Sequence, residues 1–246
     1  MIKSFLKKIL DRMRIVSGTI NLNDRRGALH KAWGHIFSNH LLGDYVEFGV
    51  YYGDSLNKSI IEFKYFKRWL QNEKKSNELW RQEVAKKSLL NQKIFFHGLD
   101  TFTGMPDNNE QNYIFKKGTF TSDYQVVFNK LKKITNNFFL YKGLFNDCSK
   151  NLHQNLNLRK IAIVNIDCDI YKSTIDALNI IDGHLQIGSL IMFDDFNAFN
   201  ADNNRGQRKA FNEYSKSTIW KLEPFFNYMY CGKCFLVVDK KNYNNN

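Results

Sequence analysis

Short apolar runs alternate with helix-like stretches along this chain, and the runs carry acids to their ends. Ile94 to Asp100 reads IFFHGLD, Ile163 to Tyr171 reads IVNIDCDIY, and Ser189 to Phe196 reads SLIMFDDF. An apolar run of about 4–8 residues bounded by polar ones reads as a buried strand. Strands that alternate with helices pack as a mostly parallel sheet with helices on both faces, an α/β architecture. Ligands in such folds bind beyond the carboxyl ends of the strands, where the strand order reverses. Glu47, Asp100, Asp167, Asp169, Asp194 and Asp195 all fall at or near such ends.

The same patterning predicts strands at 45–50, 94–100, 138–142, 161–167, 190–194, 218–223 and 233–238. Helices are expected at 25–42, from Ser55 through Phe66, and at 124–133, 173–181 and 207–215. Gly53-Asp54-Ser55 is expected to supply a turn and a helix N-cap. Gln71 to Gln92 is charged and helical in pattern, longer than a crossover needs. Thr101 to Thr121 is rich in Gly, Asn and Thr, the composition of a functional lid or an unstructured loop.

Side chains two apart in a strand share a face, so Asp167 and Asp169 are expected to enter one crevice while Cys168 points away. Asp194 and Asp195 end the next strand. Two carboxylates about 4 Å apart repel by about 4 kcal/mol at an effective dielectric near 20. Such a cluster needs protonation, a basic partner or a metal. Its ligands are all oxygens, which selects a hard cation: Mg²⁺ first, with Mn²⁺ and Ca²⁺ as alternatives. The competing explanation is helix capping, with Lys172 as a pairing partner. Capping accounts for one acid at a strand end, not for two pairs at two ends.

The 246 residues suffice for one sizeable domain or two small ones, and 43% hydrophobic with 15% aromatic residues is a globular composition. The formal net charge of +12 favours anionic partners. The lysines are scattered, without an RGG, RNP or zinc-finger pattern, so nucleic acid is not the expected partner. Cys231 and Cys234 form a lone CxxC with no second ligand pair, and the four cysteines read as reduced thiols of a cytoplasmic protein. No apolar run reaches transmembrane length, and charges interrupt any secretory apolar core in MIKSFLKKILDRMRIV. Ile2, Phe5, Leu6, Ile9, Leu10 and Met13 fall at helical spacing instead. That basic amphipathic helix is expected to dock on the domain or a second subunit, making a homo-oligomer, with peripheral membrane contact as the alternative.

Glu47 to Ser55 is a strand, a glycine turn and a helix start, without the GxGxxG spacing of a dinucleotide site. Its glycines still let a ligand approach the backbone. An acid ending the second strand, here Asp100, commonly bonds ribose hydroxyls. Taken in order, VEFGVYYGDS, GLDTFTGMP, KGLFND, NIDCDIYKSTIDAL and MFDDF resemble the macrocin O-methyltransferase family. That family includes the sugar O-methyltransferases of macrolide and aminocoumarin biosynthesis. The resemblance spans Asp44 to Tyr214, and DCDIYKST followed by DDF is its most specific part.

The resemblance implies a Rossmann-like class I methyltransferase fold with a seven-stranded sheet, S-adenosylmethionine, and Mg²⁺ held by Asp167, Asp194 and Asp195. It implies Asp169 as general base. It implies cofactor contacts from Glu47, Gly49, Tyr51, Gly53, Ser55, Asp100, Thr101, Phe102, Gly143, Phe145 and Asp167. Three segments follow: helical 1–43, a methyltransferase domain 44–241, and a polar tail 242–246. Residues 71–92 read as an insertion, and loop 107–117 carries no legible substrate signature. The expected reaction is methylation of a sugar hydroxyl on a nucleotide-linked, natural-product or surface-glycan acceptor, an anionic one given the charge. The alternatives are a catechol-like phenol acceptor, since catechol O-methyltransferase-like enzymes share the three metal positions, and a basic nucleic-acid-binding module.

Overall fold

A computed structural model describes residues 23–86, 90, 92–110, 112, 114–157 and 159–241. The amphipathic helix expected near the N-terminus and the tail 242–246 lie outside the described residues. In chain order the elements are α1 (Arg25–Ser38), β1 (Asp44–Phe48), α2 (Asp54–Glu73), α3 (Leu79–Lys86), β2 (Phe96–Asp100), α4 (Tyr124–Lys132) and β3 (Phe138–Lys142). Then come α5 (Phe145–Leu156), β4 (Ile161–Ile166), α6 (Tyr171–Ile181), β5 (Leu190–Phe193), α7 (Gly206–Ser217), β6 (Trp220–Tyr228) and β7 (Gly232–Asp239).

Among the described residues the strands form one seven-stranded sheet in the order β3-β2-β1-β4-β5-β7-β6. Strands β1 to β5 pair in parallel, while β7 runs antiparallel to both β5 and β6. The chain winds outward from β1 in one direction and from β4 in the other. The crevice therefore opens at the carboxyl ends of β1 and β4.

Strand alternation sorts the side chains into two cores. Tyr45 of β1, Phe96 of β2 and Ile163 of β4 join a cluster with α1, α2 and α4. Val46, Phe48, Val164 and Ile166 join a second cluster with α5, α6 and α7. Helix α1 lies inside the first: Ala28, Leu29, Ala32, Trp33, Ile36 and Phe37 are all buried. The Trp33 indole donates to Ser59 Oγ at 2.9 Å, which satisfies its one polar atom in the core.

Several expectations move. Helix α1 stops at Ser38, and β1 stops at Phe48 because Gly49 takes φ +90°. A Cβ at Gly49 would lie 1.8 Å from the Asp167 carbonyl oxygen, so no other residue fits this close approach of the segments that follow β1 and β4. Helix α2 is capped by Gly53 in the left-handed region, without the side-chain cap expected from Asp54 or Ser55. Residues 71–92 do not form one helix: α2 ends at Glu73 and α3 starts at Leu79. Strand β6 continues past Pro224, where the register slips between Pro224 and Phe226. An edge strand accepts proline at such an irregularity. Helix α5 is the element that apolar spacing leaves unassigned. Its buried face is only Cys148, Leu152 and Leu156, one residue every four.

Candidate active site

The acids gather just beyond the carboxyl ends of β4 and β5. Asp167 follows β4 and Asp194 follows β5, and each continues the ladder by one bond: Asp167 N–H to Phe48 O at 2.8 Å, Asp194 N–H to Ile166 O at 3.1 Å. The Gln207 side chain, fully buried, locks the two strand ends together. It accepts from Asp195 N–H at 3.0 Å and donates to Ile166 O at 3.1 Å. Asp167, Asp194 and Asp195 thereby offer oxygens that all lie within 4.8 Å of one another. Burial, then repulsion from Asp194, pushes the Asp167 carboxyl well above the usual range. Burial also raises Asp195.

Asp169 stands beside this trio. Its backbone has φ +59°, and Ile170 N–H bonds Cys168 O at 2.6 Å across it, closing a three-residue turn. A non-glycine residue in this region stores strain of about 1–3 kcal/mol, which clusters at functional sites. Burial, then the Asp195 charge, holds the Asp169 carboxyl well above the usual range. Cys168 packs into the second core and meets Thr174 Oγ1 at 3.6 Å, so it does point away. Asp169 caps nothing: the N-cap of α6 is Ile170, with no side-chain cap bond. Glu110, reaching in from the 101–121 loop, accepts Tyr171 N–H at 2.7 Å instead. Lys172 pairs with Asp176 at 2.6 Å, not with the strand-end acids.

One side chain that the sequence pattern did not single out completes the cluster. Arg25, the first residue of α1, donates from Nη1 to Asp167 Oδ2 at 2.7 Å and from Nη2 to Asp194 Oδ2. Burial opposes its charge, but Asp167 and Asp194 outweigh that and raise its pKa above the ordinary arginine value. A cation at a helix N-terminus opposes the helix dipole. Two adjacent arginines at the start of a helix were the available signal, since each then needs an acid; Arg26 finds Glu62 at 2.7 Å.

The cluster opens on a cavity of about 550 Å³ that also touches Gly49, Tyr51, Ser55, Asp100, Thr101 and Phe145. Asp100 is committed within it. Its Oδ2 accepts from Val50 N–H at 2.8 Å and Tyr51 N–H at 2.7 Å, and its Oδ1 from Phe102 N–H at 2.7 Å. A carboxylate has about four lone-pair sites, so one remains for a further donor. Glu47, Gly53, Phe102 and Gly143 are not among the residues that line the cavity. Phe102 is buried edge-on against Tyr124, and Gly143 N–H bonds Asp100 O at 3.0 Å. Glu47 is fully buried and accepts from Tyr45 O–H at 2.5 Å, Ser55 O–H at 2.8 Å and Asn165 N–H at 3.2 Å. It shapes the glycine turn from beneath, and burial pushes its pKa up to about 7. Asn165 was a second residue missed: it lies on the Glu47 face of β4, two positions before Asp167.

The donor set fits a hard cation. It consists of oxygens only, and Asp194 Oδ1 is buried with no hydrogen-bond partner. No helix among the described residues is long and apolar enough to cross a membrane.

Residues 79–219 match the family model described as Macrocin-O-methyltransferase (TylF). Among curated proteins, none matches this sequence. Solved structures share the fold. The calicheamicin methyltransferase CalS11 aligns at TM-score 0.58 and 18% identity, over 86% of this chain and 77% of its own. The O-methyltransferase NovP aligns at 0.59 and 17%, over 86% and 78%. An O-methyltransferase from Bacillus cereus, in complex with SAH, aligns at 0.53 and 10%, over 96% and 91%.

Proposed function

This chain belongs to the macrocin O-methyltransferase family and is an S-adenosylmethionine-dependent O-methyltransferase; from that premise we propose that it methylates a sugar hydroxyl on an anionic acceptor with the help of Mg²⁺. The observation that carries the reading is the trio Asp167, Asp194 and Asp195 with Asp169 beside it at the mouth of one cavity. The acceptor assignment is supported by the family and by the net charge of +12. The solved enzyme whose structure is described as a TDP-rhamnose 3'-O-methyltransferase, CalS11, has the same fold at TM-score 0.54.

Asp167, Asp194 and Asp195 would hold the cation, which supplies Lewis acidity that lowers the pKa of a bound hydroxyl. Burial and then the Asp195 charge hold the Asp169 carboxyl above its usual range; a cation on the three neighbouring acids would offset the second of these and favour a carboxylate able to accept the hydroxyl proton. S-adenosylmethionine would supply a methyl group on its sulfonium to that oxygen. The O–C bond would form as the C–S bond breaks, with the electron pair left on sulfur. Gly49 and the turn up to Ser55 would line the methionine portion of the cofactor. Asp100 would take a ribose hydroxyl with its remaining lone pair. Cytoplasmic residence fits such a donor.

Titration calorimetry with S-adenosylmethionine, followed by turnover on nucleotide-linked sugars and on catechol, tests this reading. We expect micromolar-class cofactor binding, activity lost in EDTA and restored by Mg²⁺, and no turnover of catechol. Full activity in chelator would remove the metal from the mechanism, and turnover of catechol alone would move the acceptor to phenols.

A further inference from the structure

The buried acids of this site and the N-terminal helix meet through one side chain. The Arg25 guanidinium spans Asp167 Oδ2 and Asp194 Oδ2, two members of the trio that offers oxygens within 4.8 Å. Among the described residues it is the basic side chain that reaches these acids. One positive charge faces three carboxylates, and Asp194 Oδ1 is left buried without a partner. The arginine is also well anchored at its base. Asp24 caps α1 by accepting Gly27 N–H at 2.7 Å, and Asn23 O accepts Met229 N–H at 2.6 Å, which ties the helix start to the β6–β7 turn.

We propose that Arg25 is a tethered counter-cation that fills the divalent-metal position of the free protein and gives way when the ion binds. This rests on the metal reading above. A guanidinium and a metal ion cannot both take the same lone pairs of Asp167 and Asp194. A buried acid cluster with no cation is strongly unfavourable, so the free protein needs a substitute. Guanidinium is suited to that role: it is planar, always charged, weakly hydrated, and forks across two carboxylates. Its long stem lets the head leave while α1 stays in place. The cavity that the acids line also touches Arg25, so the displaced head has room beside the site. Arg25 is thus a positioning residue. It holds the acids in ligand geometry before the metal arrives and lowers the apparent affinity for the metal by competing with it.

The test compares wild type with R25M and R25K. Mn²⁺ binding is followed by the electron paramagnetic resonance of free Mn²⁺, and melting temperature is read in EDTA and in saturating Mg²⁺. R25M should bind Mn²⁺ at least tenfold more tightly than wild type. It should melt lower in EDTA, and the gap should close in Mg²⁺. R25K, a compact charge without the fork, should fall between the two. If R25M is not recovered folded, R25K carries the comparison and must bind Mn²⁺ more tightly than wild type. Unchanged or weaker binding in the folded variants overturns the competition. If wild type binds Mn²⁺, D194N abolishes it and R25M leaves it unchanged, the metal reading stands and this proposal alone falls. If no variant binds Mn²⁺ while cofactor binding persists, both fall.

Discussion

Two buried acid networks sit at opposite ends of the sheet, and their contrast separates architecture from chemistry. At the amino end, Asp44 of β1 is fully buried and fully bonded. Arg159 Nε and Nη2 each donate to it at 2.7 Å, Phe95 N–H at 2.9 Å, and His97 lies at 3.4 Å. Burial alone would raise its pKa, but the bonds from His97 and Arg159 outweigh that and hold it below the usual range. At the carboxyl end one arginine, Arg25, bonds Asp167 and Asp194, and burial pushes the carboxyls of Asp167, Asp169 and Asp195 upward. Every lone pair of Asp44 that matters has a donor from the chain. The strand-end cluster holds more negative charge than the chain neutralises, which is the mark of a site built for something that binds.

The largest effect that separates the two ends belongs to Asp169. D169N should keep the fold, because the amide is nearly isosteric and Asp169 caps no helix. The single-turnover rate should drop roughly 10²–10⁴-fold, the usual range for a lost general base. A normal rate would show that the proton leaves by another route. A lowered melting temperature would instead make Asp169 structural, like Asp44.

D44N should do the reverse. It leaves Arg159 and His97 without their carboxylate, and since Arg159 is partly exposed we expect a loss of about 2–4 kcal/mol in stability. The rate of the folded fraction should be unchanged. Because the folded pKa of Asp44 is lowered, its stabilisation is present above the unfolded value near 3.8 and is lost as the pH falls through the lower folded value. Urea midpoints measured down through that window should show wild type and D44N converging. Midpoints that stay apart would mean Asp44 acts by shape alone.

The smallest effect is a slope at Glu47. Its folded pKa is raised from 4.5 to about 7, so between those values the folded state holds a proton that the unfolded chain has released. Stability from this group is therefore fully present below about 4.5 and declines as the pH rises toward 7. E47Q should flatten that decline, by at most one proton's worth of slope. Identical urea midpoint profiles for wild type and E47Q would show that its three donors keep Glu47 ionised throughout.

Much of this arrangement is legible in the order of the residues. Apolar runs at 161–167 and 190–194 predict β4 and β5 to within a residue, because a buried strand writes its own composition. The Cys168 thiol packs into the second core, as period-2 alternation expects, although the strand ends at Ile166 and Cys168 also borders the cavity. Legibility fails where a feature depends on distant partners. Helix α5 has a thin apolar face, since only one row of it touches the sheet. Strand β6 runs through Pro224 because β7 pairs with it on one side only. Asp100 reads as a free ribose acid, but backbone amides from two separate segments already occupy most of its lone pairs.

The sequence by itself determined the alternating α/β order, the acids at the strand ends and the glycine at position 49, because all three follow from local spacing and backbone sterics. Only the tertiary structure decided which charges face one another. Arg25 lies 142 residues from Asp167 and 169 from Asp194, yet one guanidinium joins them. That contact exists because α1 packs its apolar face on the sheet and so aims its first residue at the ends of β4 and β5. Electrostatic pairing follows distance in space, which local pattern does not encode.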